Sequence, residues 1–192
     1  MDALADRSLG RLLEEVAAKT PSPGGGSSSA IVCALAAGLV QMTAAFAHGK
    51  DGERPAEVHA RAEQLRGQAL ALAQQDLGAY SAVLEALRLP EDMPGRAEQV
   101  DAALSDATDT PLAIARTAGE VATLAGEMAR TSNVHLHGDA LAAGLLADGA
   151  CRAALQLVVL NLTDRPDDPR LEEARALGRR PWMAALSTTR DV

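Results

Sequence analysis

Residues 27–47 run without one charged side chain, and this run limits the possible folds more than any other feature of the chain. It is built mainly of alanine with glycine, serine, leucine and valine, a mixture that favours helix. A helix that is apolar on every side has to be surrounded by other elements. Its small side chains also let neighbouring backbones come close. The run is long enough to span a bilayer. Its modest hydropathy, its hydroxyls and Gln41 make it a poor membrane segment, so the expectation is a buried helix at the centre of the molecule. Residues 139–162 are nearly as apolar and form the second expected central helix.

The remaining helices follow from spacing and breakers. Leu9, Leu12, Leu13 and Val16 recur at helical period and predict a first helix over 8–18. Two prolines and three glycines within Thr20–Ser27 end it. Ser27 or Ser28 is placed to cap the central helix. Val58, Ala62, Leu65, Ala69, Leu72, Tyr80, Val83 and Leu87 predict a long helix over 55–87. A short helix over 96–106 follows Pro90 and Pro94. Pro111 suits the first turn of a helix reaching 129, and the last helix covers 170–182. The sum is six or seven helices in an all-α, single-domain bundle over 1–192. Phe46, Tyr80 and Trp182 are the only aromatic residues, which leaves little to build strands.

Charge and cysteine usage exclude several classes. The net charge of −8 repels nucleic acid and anionic membrane, so neither is an expected partner. Cys33 and Cys151 lie in alanine-rich helices outside any CxxC pair and read as reduced core residues of a cytoplasmic protein. The polar, acidic N-terminus does not read as a signal peptide.

Three places carry chemistry. Pro23, Gly24, Gly25, Gly26 and Ser27 enter a helix through bare backbone. Such an entry either seats an anion or a flat ring on free N–H groups, or is a tight turn that packs backbone on backbone. No strand precedes it and no P-loop lysine follows, so it is neither nucleotide fingerprint. Asp76 interrupts the apolar stripe of the long helix. A carboxylate there is paired, hydrogen-bonded, protonated or facing a cavity, which suits either a general acid or base or a structural ion pair. Asp139 opens the penultimate helix, where it either complements the helix dipole or points inward beside Asp76 on the face 139, 142, 146, 149, 153, 157 and 160. Lys50 either compensates the central helix's C-terminus or meets an acidic ligand. His135 and His137 alternate but lack a third ligand nearby, so no metal is expected. No nucleophile elbow is present.

Taken together these residues resemble the formiminotransferase-cyclodeaminase family, which includes stand-alone bacterial methenyltetrahydrofolate cyclohydrolases. The resemblance runs through Thr20-Pro21-Ser22-Pro23-Gly24-Gly25-Gly26-Ser27, the small-residue helix, Gly49-Lys50, Asp76 with Ala79-Tyr80 and Val83, Leu89-Pro90, Thr110-Pro111-Leu112, Asn133, Gly138-Asp139 and Leu160-Asn161-Leu162. It departs at Gly138, where the family has serine, at Leu157, where it has asparagine, and at Ala47-His48.

The resemblance implies a folate-binding cleft between helices and a homodimer. It implies either ring closure of 5-formiminotetrahydrofolate with loss of ammonia or hydrolysis of 5,10-methenyltetrahydrofolate, with a tetrahydrofolate derivative as substrate and no permanently bound cofactor. Asp76 and Asp139 would share the acid–base work, Gly24 to Ser27 would meet the ligand by backbone, and Lys50, Asn133 and Tyr80 would complete the binding site. The alternative is a homologue that binds a folate-like ligand without turnover, suggested by the altered connection at Asn133 to Gly138.

Overall fold

The computed structural model describes residues 3–47 and 53–179, which form an all-helical bundle without strands. The helices are α1 (Leu9–Ala17), α2 (Gly25–Ala47), α3 (Arg54–Leu87), α4 (Arg96–Ala107), α5 (Asp109–Thr131), α6 (His137–Asn161) and α7 (Pro169–Gly178). Short 3-10 turns at Leu4–Asp6 and Val134–Leu136 precede α1 and α6. The expected helices are present, with boundaries moved by a few residues. Lys50 and Trp182 lie outside the described residues.

α2 packs against α3, α5 and α6, and α5 packs against α6. Ala30, Cys33, Ala36, Ala37, Val40 and Ala44 bury one side of α2, where methyl-sized side chains let helices approach closely. α2 and α6 were the expected centre, and α5 joins them there. Ile114, Ala118, Val121, Ala125 and Met128 line its inner side. α5 also carries charges, but they form ion pairs on its outer edge. Arg54 and Arg61 of α3 grip Glu127 and Glu120 of α5 through two bonds each. Arg170 of α7 holds Asp168, Asp109 and Ser105, tying α7 to the junction of α4 and α5.

Two expectations of burial are corrected. The α3 stripe is buried from Val58 to Leu72 and again at Val83, whereas Tyr80 is 41% exposed and Leu87 45%. The last turns of α3 run along α4, which leaves these two side chains partly in water. α2 and α6 are also not surrounded. Leu35 (61% exposed) and Phe46 (68%) on α2, and Leu145, Leu146, Val159 and Leu160 on α6, remain in water. Both helices are long and apolar enough to cross a membrane, and about half of each apolar window lies inside the bundle.

Candidate functional site

The triple glycine opens onto a cavity of about 310 Å³. α2 begins at Gly25, and the Gly24 carbonyl accepts the N–H of Ser28 at 3.0 Å. Ser27 is therefore not the cap that its hydroxyl suggests. It sits inside the first turn, fully buried, and is turned toward α3. Its backbone N–H donates to Asp76 Oδ2 at 2.7 Å and its hydroxyl donates to the same oxygen at 2.8 Å. The Ala73 carbonyl stands 3.2 Å from that hydroxyl. One proton cannot serve both, and the closer, charged acceptor is the stronger.

Gly26 explains why this stretch lacks side chains. A Cβ there would fall 2.0 Å from Asp76 Oδ1 and 2.5 Å from its Cγ, so the carboxylate occupies the space a side chain would need. Gly25 is less constrained, with Leu157 as its nearest neighbour at 3.9 Å. The two oxygens of Asp76 thus have different duties. Oδ2 is anchored by Ser27, whereas no described residue hydrogen-bonds Oδ1. Asp76 lines the cavity together with Gly24, Gly25 and Gly26, and Tyr80 stands at its mouth one turn farther along α3. Leu157 and Asn161 close the side formed by α6.

Pro23 is buried behind a cis Ser22–Pro23 peptide and does not line the cavity. Pro21, Ser22, Ala79, Ala107 and Pro111 do, and none of them was a candidate. Pro111 was legible only as a helix start, and a lone alanine gives no sign of lining a site.

The expected pairing of the two acids within one chain is overturned. Asp139 lies in the first turn of α6 and the cavity-lining Leu157 and Asn161 near its end, which separates Asp139 from the cavity wall by about 27 Å or more at ~1.5 Å per residue. Asn133 stays at Asp139's end, where its side chain accepts the N–H of His135 at 3.1 Å and caps the 3-10 turn. His137 Nδ1 contacts the Ala129 carbonyl at 2.8 Å. Gln41 and His59 meet at 3.4 Å in the same half of the bundle. The candidate residues therefore form two groups at opposite ends: the glycine turn, Asp76 and Tyr80 at one, Asn133 and Asp139 at the other.

Among the described residues no group of three or more His, Cys, Asp or Glu could hold a metal ion. Cys33 and Cys151 are both buried. Burial, with Cys151 nearby, pushes the Cys33 thiol up to about 12, as suits an inert core residue.

The family model described as formiminotransferase-cyclodeaminase matches residues 8–177. A methenyltetrahydrofolate cyclohydrolase of Methylorubrum extorquens is 34% identical, with 86% of each chain covered. The formimidoyltransferase-cyclodeaminase of Mus musculus is 30% identical over 86% of this chain, which spans 32% of the mouse protein. In shape the chain is similar to the crystal structure of a formiminotetrahydrofolate cyclodeaminase from Thermotoga maritima, with a TM-score of 0.80, 24% identity, and coverage of 95% of this chain and 91% of that one.

Proposed function

The chain belongs to the formiminotransferase-cyclodeaminase family, and on that premise we propose that it hydrolyses 5,10-methenyltetrahydrofolate to 10-formyltetrahydrofolate. A folate one-carbon enzyme is what its relatives' names support. The observation that carries the choice of reaction is the identity itself: 34% to a cyclohydrolase over 86% of both chains, against 30% to the mouse bifunctional enzyme and 24% to the cyclodeaminase matched in shape.

The substrate is a flat cation whose bridging carbon lies between N5 and N10. Asp76 supplies a negative oxygen beside a backbone with no side chains, where such a ring system can lie close. Oδ1 takes one proton from a water as its oxygen bonds to the bridging carbon. The carbon–N5 bond then breaks, and the remaining hydroxyl proton ends on N5. The formyl group stays on N10, and one proton is released overall. Anchoring Oδ2 through two donors fixes the direction in which Oδ1 faces, which is positioning in the sense that general-base catalysis requires.

We further propose a homodimer that buries the open apolar stripes of α2 and α6 against a second copy. Exposed apolar surface of this extent marks an interaction site. A two-fold axis running across the helices sets the copies antiparallel, and the end holding Asn133 and Asp139 in one then lies beside the glycine turn of the other. Asp139 in that arrangement serves the partner's site.

The test is absorbance of the methenyl chromophore mixed with purified protein, for the natural chain and Asp76→Asn. Catalysed decay that is lost in Asp76→Asn supports the reading. Tight binding of the folate without turnover would show a binder. Ammonia release from 5-formiminotetrahydrofolate with no cyclohydrolase activity would assign the other family reaction.

A further inference from the structure

The cavity does not end at Tyr80. It opens into a groove of about 520 Å³ between the last turns of α3 and α4. Ala79 and Ala107 line both spaces. From that junction the groove is lined by the methyl groups of Ala82 and Ala86 on α3 and Ala102 and Ala103 on α4, together with Leu89 and Gln99. Larger side chains would interdigitate and close the gap, as buried leucines do elsewhere in the bundle. Here the α3–α4 seam leaves an open slot lined in large part by methyl groups.

Resting on the proposed function, we propose that this slot is the subsite for the aminobenzoyl ring of the folate. The reacting carbon lies between N5 and N10, and N10 carries the aromatic ring. Once the pterin occupies the cavity beside Asp76, the ring has to leave the reacting centre in some direction. Ala79 is one turn beyond Asp76 on α3 and stands at the entrance to the slot. Methyl groups can contact the face of a flat ring at about 3.5–4.0 Å, a contact that bulkier side chains would prevent. A cavity of about 310 Å³ is at the small end for a ligand site and suits the bicyclic head of a folate better than the whole molecule. Glu85 and Asp106 line the groove and are exposed. Like charge keeps the two carboxylates of the glutamate tail out of the slot, so the tail continues into water.

The experiment measures dissociation constants by calorimetry for two probes, 5-formyltetrahydrofolate and 6-methyltetrahydropterin, which lacks the aminobenzoylglutamate. Ala82→Trp and Ala102→Trp each place a large ring in the slot, and both positions are exposed enough to accept it without disturbing the core. The expected result is roughly a tenfold or greater weakening for the folate in both variants, with the pterin unchanged. Folate binding at natural strength in both variants, or equal weakening of both probes, overturns the subsite and leaves the proposed function standing. A natural chain that binds no reduced folate overturns the proposed function and the subsite with it.

Discussion

Ser27 and Asp76 are joined twice through one oxygen: the serine's amide and its hydroxyl both donate to Asp76 Oδ2, at 2.7 and 2.8 Å. The contact crosses from the first turn of α2 to the middle of α3 and leaves the second carboxylate oxygen to the cavity. Replacing Asp76 with Asn keeps the shape and removes the base. Hydrolysis of the methenyl substrate is expected to fall roughly 100- to 10,000-fold, the range for loss of a positioned acid–base group. Unchanged kcat in Asp76→Asn removes Asp76 from the mechanism.

Ser27→Ala deletes one of the two donors and keeps the other. The expected loss is about tenfold in kcat with little change in KM, since about 1–2 kcal/mol of orientation is surrendered and no ligand contact is lost. Ser27→Thr retains the donor, and some recovery of kcat would separate orientation of the carboxylate from a general packing defect. Steady-state kinetics on the three proteins decide it.

Neighbouring glycines should respond differently. Gly26→Ala puts a methyl where the Asp76 carboxylate lies, so the acid has to rotate off Ser27; the prediction is loss of most activity with a folded, helical protein by circular dichroism. Gly25→Ala meets only Leu157 at ordinary contact distance and leaves the Asp76–Ser27 contact in place, so its effect is expected in KM, through the methyl added to the cavity wall, with kcat within a few-fold of the natural chain. Equal behaviour of the two variants counts against the arrangement.

Leu35→Glu places a charge on the open stripe of α2. A dimeric natural chain becoming monomeric on light scattering, with activity lost, is the expected outcome. If Asp139 serves the partner's site, mixing unfolded Asp76→Asn and Asp139→Asn chains and refolding them together restores about a quarter of the sites, because half of the dimers are mixed and half of their sites are intact. No recovery on mixing contradicts the shared site.

The anchor of α7 has its own pH signature. Hydrogen bonding to the Arg170 guanidinium, helped by the Arg170 amide, holds the Asp168 carboxyl down at about 2. An unfolded aspartate titrates near ~3.9. The stabilisation linked to this pair is therefore complete above about pH 4 and is lost as the pH falls toward about 2. Thermal midpoints measured from pH 7 to 2 should drop through that window, and Asp168→Asn should begin lower at pH 7 and fall less steeply. Parallel curves for both proteins would rule the pair out as a source of acid sensitivity.

Much of this was readable from the residues, because an uncharged alanine-rich run leaves few folds open and an aspartate among leucines draws attention to itself. Asp76 and the triple glycine do meet. Asp139 shows what spacing cannot supply. Helical period gives the angle of a side chain around its axis, and it says nothing of height along the axis relative to a neighbouring helix. α6 brings its last turn, not its first, to the glycine turn, so an acid with the correct phase ends at the wrong end. Ser27 was misread for a related reason. A hydroxyl at a helix start usually serves its own backbone, and only the fold brings a carboxylate near enough to take it. The centrality of α5 was hidden by Arg116, Glu120 and Glu127, whose charges lie along its edge and pair with other helices.

The stripes left open on α2 and α6 also bear on the order in which the molecule matures. Burial of Ala37 or Val121 needs only the chain itself and proceeds at a rate independent of how many copies surround it. Leu35, Phe46, Leu145 and Leu160 have no such shelter among the described residues. In the proposed dimer their removal from water is an encounter, with a rate that grows with abundance, so newly made molecules at low copy number would stay longest in a form that is complete in its helices and still sticky on one side.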